Sequence, residues 1–333
     1  MNRMNVLITS ASRKVSLVKA FQRALAEEGG GKVIAIDASP RSAALYVADE
    51  SYIVPPGTGK DFIKIVHDIC RKHDVHLVIP TRDEELPIFA DEKDNFSDIG
   101  VTVMVPDLSV VQTCQDKHSF IDFCLNTGFC VPKTYSQDKL FPVPELPLFI
   151  RGRFGKGSNT AFRAETHGDL EYFLKKLEDP VVQECIEADE YTIDLFADFK
   201  GNIISVVPRK RLRIFGGESF VGITSKNWIL INEAIRLAKA LNLTGHNTIQ
   251  CFLKDDKVLF IEVNPRYGGG ANLGFASGAF TPRYLVQMTA GKSLSPCIGE
   301  FKDQYLMLRY TDDIFLEEKE VQRIGLFNSC GSL

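Results

Sequence analysis

The sequence predicts an α/β protein in two parts, a parallel-sheet domain at the N-terminus followed by a mixed α+β region of two lobes. Three observations predict it. Roughly the first 110 residues alternate short apolar runs with amphipathic stretches. A proline-rich break then runs from Pro142 to Pro147. Beyond it, strand patterns meet across short turns and include a clear hairpin.

Val6–Thr9 reads as a buried strand and Val15–Glu28 as a helix with the apolar spacing of one face. Val33–Asp37 is a second strand, Asp61–His73 a helix and Leu77–Pro80 a third strand. A helix over Glu84–Asp94 and a fourth strand at Val101–Val105 complete the rhythm. Such alternation implies parallel strands joined by right-handed crossovers, a Rossmann-like domain assigned to residues 1–112. Residues 113–128 carry one helix, with Phe120, Ile121, Phe123 and Cys124 apolar and Gly128 as its stop. Pro132 and the later prolines read as linker, and Leu148–Arg151 resumes as a strand. The second domain is assigned to 113–300. Residues 301–333 are a C-terminal extension, with Tyr305–Tyr310 as a strand.

Composition narrows the function classes. Of 333 residues, 44% are apolar and 25% charged, as in ordinary globular proteins. The net charge of −4 is spread along the chain without a basic tract, so no nucleic-acid partner is expected. No apolar stretch is long enough to span a bilayer, and no signal-peptide pattern opens the chain. The expectation is a cytoplasmic protein with no membrane partner. Eight cysteines are scattered singly without a CxxC pair, which argues against a zinc site and for reduced core thiols.

Two nucleotide motifs fail on detail. The turn Thr9-Ser10-Ala11-Ser12-Arg13-Lys14 after the first strand has no glycine, so a dinucleotide fingerprint and an NAD-linked oxidoreductase are disfavoured. Gly57-Thr58-Gly59-Lys60 looks like half a P-loop, but Val54 stands where a glycine is needed and Asp61 follows the lysine. Ser10, Ser12 and Arg13 remain open between two roles, holding a substrate anion or capping the helix that follows.

Four later features carry chemistry. Arg151-Gly152-Arg153-Phe154-Gly155-Lys156-Gly157-Ser158-Asn159 leaves a strand for a loop whose glycines let backbone N–H groups form an anion nest. Val181–Ile186 is a short strand, suited as an apolar hinge to a purine ring. Alternation beyond it puts Glu190, Thr192 and Asp194 on one face, which taken alone reads as solvated. Arg209, Arg211 and Arg213 lie in a cationic run before Gly216-Gly217. Finally, Thr248–Leu253 and Val258–Arg266 form a hairpin across Asp255-Asp256. A three-residue turn pairing Lys254 with Val258 sets Gln250 across from Glu262, with Asn264 on the same face and Ile261 and Val263 buried opposite. Three oxygen-bearing side chains then converge, as Mg²⁺ prefers.

These residues resemble the ATP-grasp superfamily over roughly Thr113 to Lys292. Glu262-Val263-Asn264-Pro265-Arg266, with Gln250 upstream, looks like its magnesium motif. Gln183-Glu184-Cys185-Ile186 and Glu190 look like its adenine hinge and ribose strand. Asp116-Lys117 resembles its Asp-Lys helix start, and Arg151 sits where the family carries a cation before the glycine loop. The tail Arg266-Tyr267-Gly268-Gly269-Gly270 is similar to small single-module proteins resembling half of carbamoyl phosphate synthetase, with biotin carboxylase more distant. The chain is much shorter than a complete carbamoyl phosphate synthetase and has no biotinyl-carrier sequence.

The resemblance implies an ADP-forming, Mg²⁺-dependent ligase (Mn²⁺ substituting) that activates a carboxylate as an acyl phosphate and passes it to an amine or thiol. It implies nucleotide contacts from Lys117, Arg151, Gly155, Gly157, Ser158, Gln183, Glu184, Cys185, Ile186 and Glu190. Metal ligands would be Gln250, Glu262 and Asn264, and Lys117, Arg151 and Arg266 would offset transferring charge. Arg209, Arg211, Arg213, Gly269 and Gly270 are the expected substrate contacts. The partners implied are small-molecule carboxylate and amine substrates, with a homodimer as the common assembly. The alternatives are a nucleotide-binding regulatory protein of the same fold, and one half of a carbamoyl-phosphate-synthetase-like system.

Overall fold

The computed structural model describes residues 3–59, 61–136, 140, 144–155 and 160–327. Its first sheet contains β1 (Asn5–Ile8), β2 (Val33–Asp37), β3 (Glu50–Ile53), β4 (Val75–Ile79) and β5 (Thr102–Val103), all parallel, in the order β3-β2-β1-β4-β5. Three of the four residues of β1 and all of β2 are buried. Burial on both faces explains why these strands read as unbroken apolar runs. The edge strand β3 escapes a pattern reading because it is only half-buried and carries Glu50 and Ser51. Helices α1 (Val15–Glu27) and α2 (Phe62–Lys72) cover the sheet. The single helix expected at 84–94 is a 3₁₀ turn, Asp83–Glu85, followed by α3 (Leu86–Asp91) and α4 (Lys93–Asp98).

Residues 113–128 also divide. Asp116 has extended backbone between α5 (Leu108–Gln115) and α6 (Lys117–Asn126), and its carboxylate accepts from the N–H groups of His118 and Ser119. An aspartate that caps the second helix cannot also continue the first.

A four-stranded antiparallel sheet, ordered β6-β9-β7-β8, makes the smaller lobe from β6 (Thr134–Tyr135), β7 (Leu148–Arg151), β8 (Ala161–Ala164) and β9 (Val181–Glu184). Helix α7 (His167–Lys176) packs on it. The larger lobe is a six-stranded antiparallel sheet with α8 (Trp228–Leu241) across one face. Its strands are β10 (Asp189–Ala197), β11 (Ile203–Phe215), β12 (Glu218–Thr224), β13 (Gly245–Lys254), β14 (Lys257–Asn264) and β15 (Leu306–Leu308), in the order β14-β13-β10-β11-β12-β15. The strand expected at 305–310 is thus an edge of this sheet.

After β14 come α9 (Asn272–Ser277) and α10 (Thr281–Thr289). Phe21 and Leu25 of α1 share a buried cluster with Tyr267, Phe280, Leu285 and Val286, so the parallel-sheet region and the end of the chemistry-bearing region have one core between them. No helix among the described residues is long and apolar enough to cross a membrane.

The β13–β14 hairpin corrects one expectation and keeps its consequence. The turn has two residues, pairing Lys254 with Lys257, with Asp255 and Asp256 at φ of 48° and 58°. That register would misalign Gln250 and Glu262, but a bulge between Gln250 and Cys251 restores the pairing. The extra residue is Ile261, so it is half-buried and lines a cavity instead of joining the core.

Candidate active site

A cavity of about 510 Å³ lies between the four-stranded and six-stranded sheets. One end is largely apolar, with Pro132, Phe149, Ala161, Cys185, Ile186 and Phe252. The β9 edge there is anchored to the chain before β6: Glu184 accepts from the Lys133 N–H at 2.8 Å, and the Glu184 N–H donates to the Lys133 carbonyl at 2.9 Å. Buried Gln183 donates to Thr134 Oγ1 at 3.0 Å.

The other end is charged. Lys117, Arg151, Gly155, Glu190, Arg211, Gln250 and Glu262 line it. Lys117 is buried, and its ammonium donates to the Gly155 carbonyl at 3.1 Å. Burial pushes its pKa down, opposed by the Glu262 carboxylate. Arg151 is also buried. Its Nη2 reaches the Ile261 carbonyl of the opposite lobe at 3.2 Å, while its Nε finds no partner among the described residues. Burial lowers its pKa too, again against Glu262. Two cations thus sit desolvated beside one carboxylate. Gly155, at φ 102°, begins the glycine loop; Gly157 and Ser158, with Lys156 and Asn159, lie outside the described residues.

Glu262 accepts from the side-chain amides of Gln250 at 3.0 Å and Asn264 at 2.9 Å. The amide oxygens face arginines, Gln250 Oε1 toward Arg211 at 3.1 Å and Asn264 Oδ1 toward Arg266 at 3.3 Å. No group of three or more His, Cys, Asp or Glu side chains able to hold a metal occurs among the described residues. The Gln250, Glu262 and Asn264 set is all oxygen with a single carboxylate, which suits a hard ion completed by phosphate and water oxygens.

The face carrying Glu190, Thr192 and Asp194 is not solvated. Burial raises the pKa of Glu190, partly offset by its ion pair with Arg211, and Asp194 is buried against Arg209. The three arginines of β11 part company. Arg209 is only 1% exposed and bidentate to Asp194, at 2.6 and 2.8 Å. Arg211 enters the cavity, holding Glu190, Gln250 and the Gly217 carbonyl. The register shifts on both sides of Arg213 turn it out to solvent.

Arg266 is half-buried and bidentate to Asp83, at 2.6 and 2.7 Å. It thus joins the hairpin to the turn after β4. Sequence reasoning missed Asp83, and with the partners 183 residues apart no local pattern reveals it. It also missed Arg309, which binds the Gly269 carbonyl. Gly269 and Gly270 lie outside the cavity wall, on Glu218 and Arg209 respectively.

At the carboxyl edge of the parallel sheet, Ser10 and Ser12 have φ of 44° and 45°. Neither caps α1, whose N-cap is Lys14 without a side-chain cap bond. Thr9 and Ser10 instead donate to Glu85, and the Ser12 N–H donates to Asp37 at 2.8 Å. Burial raises Glu85 to about 7 despite the Thr9 bond.

Comparison with known proteins agrees with this architecture. Residues 6–104 match the PylC-like N-terminal domain family, and residues 176–309 match the family described as ATP-grasp in the biosynthetic pathway with Ter operon. The chain is 21% identical over 303 residues to the carbamoyl phosphate synthase large chain of Thermotoga neapolitana. That alignment covers 83% of this chain and 27% of the relative, so the chain spans about a quarter of the curated relative's length. Among solved structures it is similar to a biotin carboxylase complex from Campylobacter jejuni, with TM-score 0.71, 15% identity, and 87% and 71% of the two chains covered. It is also similar to an L-amino acid ligase from Bacillus licheniformis, at TM-score 0.68 and 19% identity over 89% and 76%. A third is N5-carboxyaminoimidazole ribonucleotide synthetase from Thermotoga maritima, at 0.62 and 20% over 88% and 77%.

Proposed function

Since the chain carries an ATP-grasp domain behind a PylC-like N-terminal domain, we propose that it is an ADP-forming carboxylate–amine ligase, with a thiol as the less favoured acceptor. The observation that carries this reading is the charged end of the cavity. Two buried cations and an amide-braced carboxylate meet there, beside the apolar end of the same cavity.

ATP would lie with its base between Phe149, Ile186 and Phe252 and its phosphates toward Lys117 and Arg151. Gln250, Glu262 and Asn264 would hold Mg²⁺, which would supply positive charge to offset that of the phosphates. A substrate carboxylate oxygen attacks the γ-phosphorus and the bond to the β-phosphate oxygen breaks, giving ADP and an acyl phosphate. The amine then attacks the acyl carbon, loses a proton and displaces inorganic phosphate. Lys117, Arg151 and Arg266 offset the charge spreading over the transferring group. Arg211 pairs with Glu190 at the sugar side of the cavity and partly offsets the rise that burial imposes on its pKa. The lobes shield the acyl phosphate from water, which would otherwise hydrolyse it.

The test is ADP release from Mg-ATP in the presence of pooled L-amino acids and small carboxylates, with Glu262→Ala as control. Stimulated release that vanishes in the control supports a ligase. Full turnover in Glu262→Ala overturns the metal-site assignment. ATP protecting the fold without any ADP release favours the nucleotide-binding regulatory reading.

A further inference from the structure

Beyond α10 the chain returns along the outer edge of the six-stranded sheet. β15 runs antiparallel to β12, pairing Leu308 with Val221, Met307 with Gly222 and Leu306 with Ile223. The Arg309 N–H donates to the Phe220 carbonyl at 2.9 Å and extends that ladder. Alternate residues of a strand share a face, so Arg309 lies on the side of Met307. Gly222, opposite Met307, is paired on its other edge with Arg211, which lines the cavity. Arg309 is therefore on the cavity face of the sheet. Its guanidinium forks, Nη1 to the Glu218 carboxylate and Nη2 to the Gly269 carbonyl.

The turn it grips begins two residues after Arg266 and is pressed against three strands. A Cβ on Gly268 would come within 2.8 Å of the Thr248 hydroxyl oxygen, one on Gly269 within 2.6 Å of the Glu218 carboxyl, and one on Gly270 within 2.5 Å of Arg209. A side chain at any of the three would have to displace one of these neighbours. Because a peptide unit is planar, fixing the Gly269 carbonyl also fixes the direction of the Gly270 N–H. Neither the Gly269 nor the Gly270 N–H donates to a backbone carbonyl among the described residues. The clamp is itself tethered. Glu318 lies 3.8 Å from Arg41, the Phe327 N–H donates to the Ile53 carbonyl at 3.1 Å, and the Phe327 ring meets Tyr52 edge-on at 5.1 Å. The tail thus straps the far edge of one sheet to the edge of the other.

We propose that Arg309 is a positioning residue that holds the Gly268–Gly270 turn, outside the nucleotide cavity and just past Arg266, so that its Gly269 and Gly270 N–H groups seat the carboxylate substrate beside the charged end of that cavity. The inference rests on the ligase reading. It also makes the C-terminal residues part of the site's construction, a role no short motif announces.

The experiment compares wild type with Arg309→Met and Arg309→Lys by deuterium exchange of the segment 267–275, with and without Mg-ADP. In parallel, Mg-ADP affinity is measured, together with the half-saturating concentration of pooled L-amino acids for ADP release. Loss of a charge-assisted bond should speed exchange of this segment by about tenfold or more in Arg309→Met. The half-saturating concentration should rise while Mg-ADP affinity, set by cavity residues that Arg309 does not touch, holds. Arg309→Lys keeps the charge without the fork and should recover part of the loss; it also serves if the methionine variant does not fold. Unchanged exchange at 267–275 overturns the proposal, as does a parallel fall in thermal stability, Mg-ADP affinity and amino-acid response. Absence of amino-acid-stimulated release in the wild type would sink the ligase reading alone, since the exchange comparison still decides the role of Arg309.

Discussion

Arg209 and Arg151 are both buried arginines on strands that face the same cleft, yet their surroundings differ in kind. Arg209 is bidentate to Asp194, and the neutral ring of His246, stacked on Tyr267 at 4.1 Å, lies beyond that carboxylate. Among the described residues Arg151 has a single carbonyl partner and an unpartnered Nε, and the Glu262 carboxylate only partly offsets its burial. Charge out of water costs several kcal/mol per ion unless it is paired. The Arg209 charge is therefore paired as scaffold, although His246 Nε2 beside it finds no hydrogen-bond partner among the described residues, whereas Arg151 holds charge in reserve for an anion.

The most severe way to break this contrast is Asp194→Ala, which strands Arg209. We expect a loss of about 3–5 kcal/mol in unfolding free energy by urea titration; a loss near zero would mean the pair is not structural.

His246 gives the next largest effect. Burial lowers its pKa to about 4 from the usual 6.5, against the pull of Asp194. Between those values the unfolded chain binds the proton and the native protein does not, so stability falls as the pH drops from 6.5 toward 4. The full loss is about 3 kcal/mol. His246→Gln should remove that component from the stability profile; an unchanged acid limb would show that His246 is protonated in the native state.

Arg151→Met sharpens the comparison from the other side. Mg-ADP affinity by calorimetry should fall about tenfold to a hundredfold, while the melting temperature without nucleotide holds or rises because a poorly paired buried charge is gone. A large drop in that melting temperature would make Arg151 scaffold as well. Smallest is a control remote from both arginines. Asp256→Gly relieves the positive φ of 58° in the β13–β14 turn and should stabilise by less than about 1 kcal/mol with no change in Mg-ADP affinity.

The same contrast explains what was legible in the sequence. Apolar runs betray β1, β2 and β4 because a parallel sheet is buried on both faces. The pairing of Gln250 with Glu262 followed from strand alternation, although the expected turn was one residue too long and a bulge made up the difference. Arg209, Arg211 and Arg213 looked equivalent as a cationic run. Their fates depend on Asp194, the cavity and a register shift, none of which is local to β11. Asp83 and Arg309 were invisible for the same reason, since each acts through a partner brought near only by the fold. Asp116 was read as a helix start, but not as the break that splits two helices.

The core shared by α1 and α10 bears on how such chains can be recombined. A chimera that exchanges the parallel-sheet segment alone would present α10, Tyr267 and Phe280 with a foreign surface beside Arg266. The natural unit of exchange is thus discontinuous, the first hundred or so residues together with the stretch from Tyr267 to Thr289. Shuffled libraries that cut only at the proline-rich linker would divide that unit, and few of their members should fold.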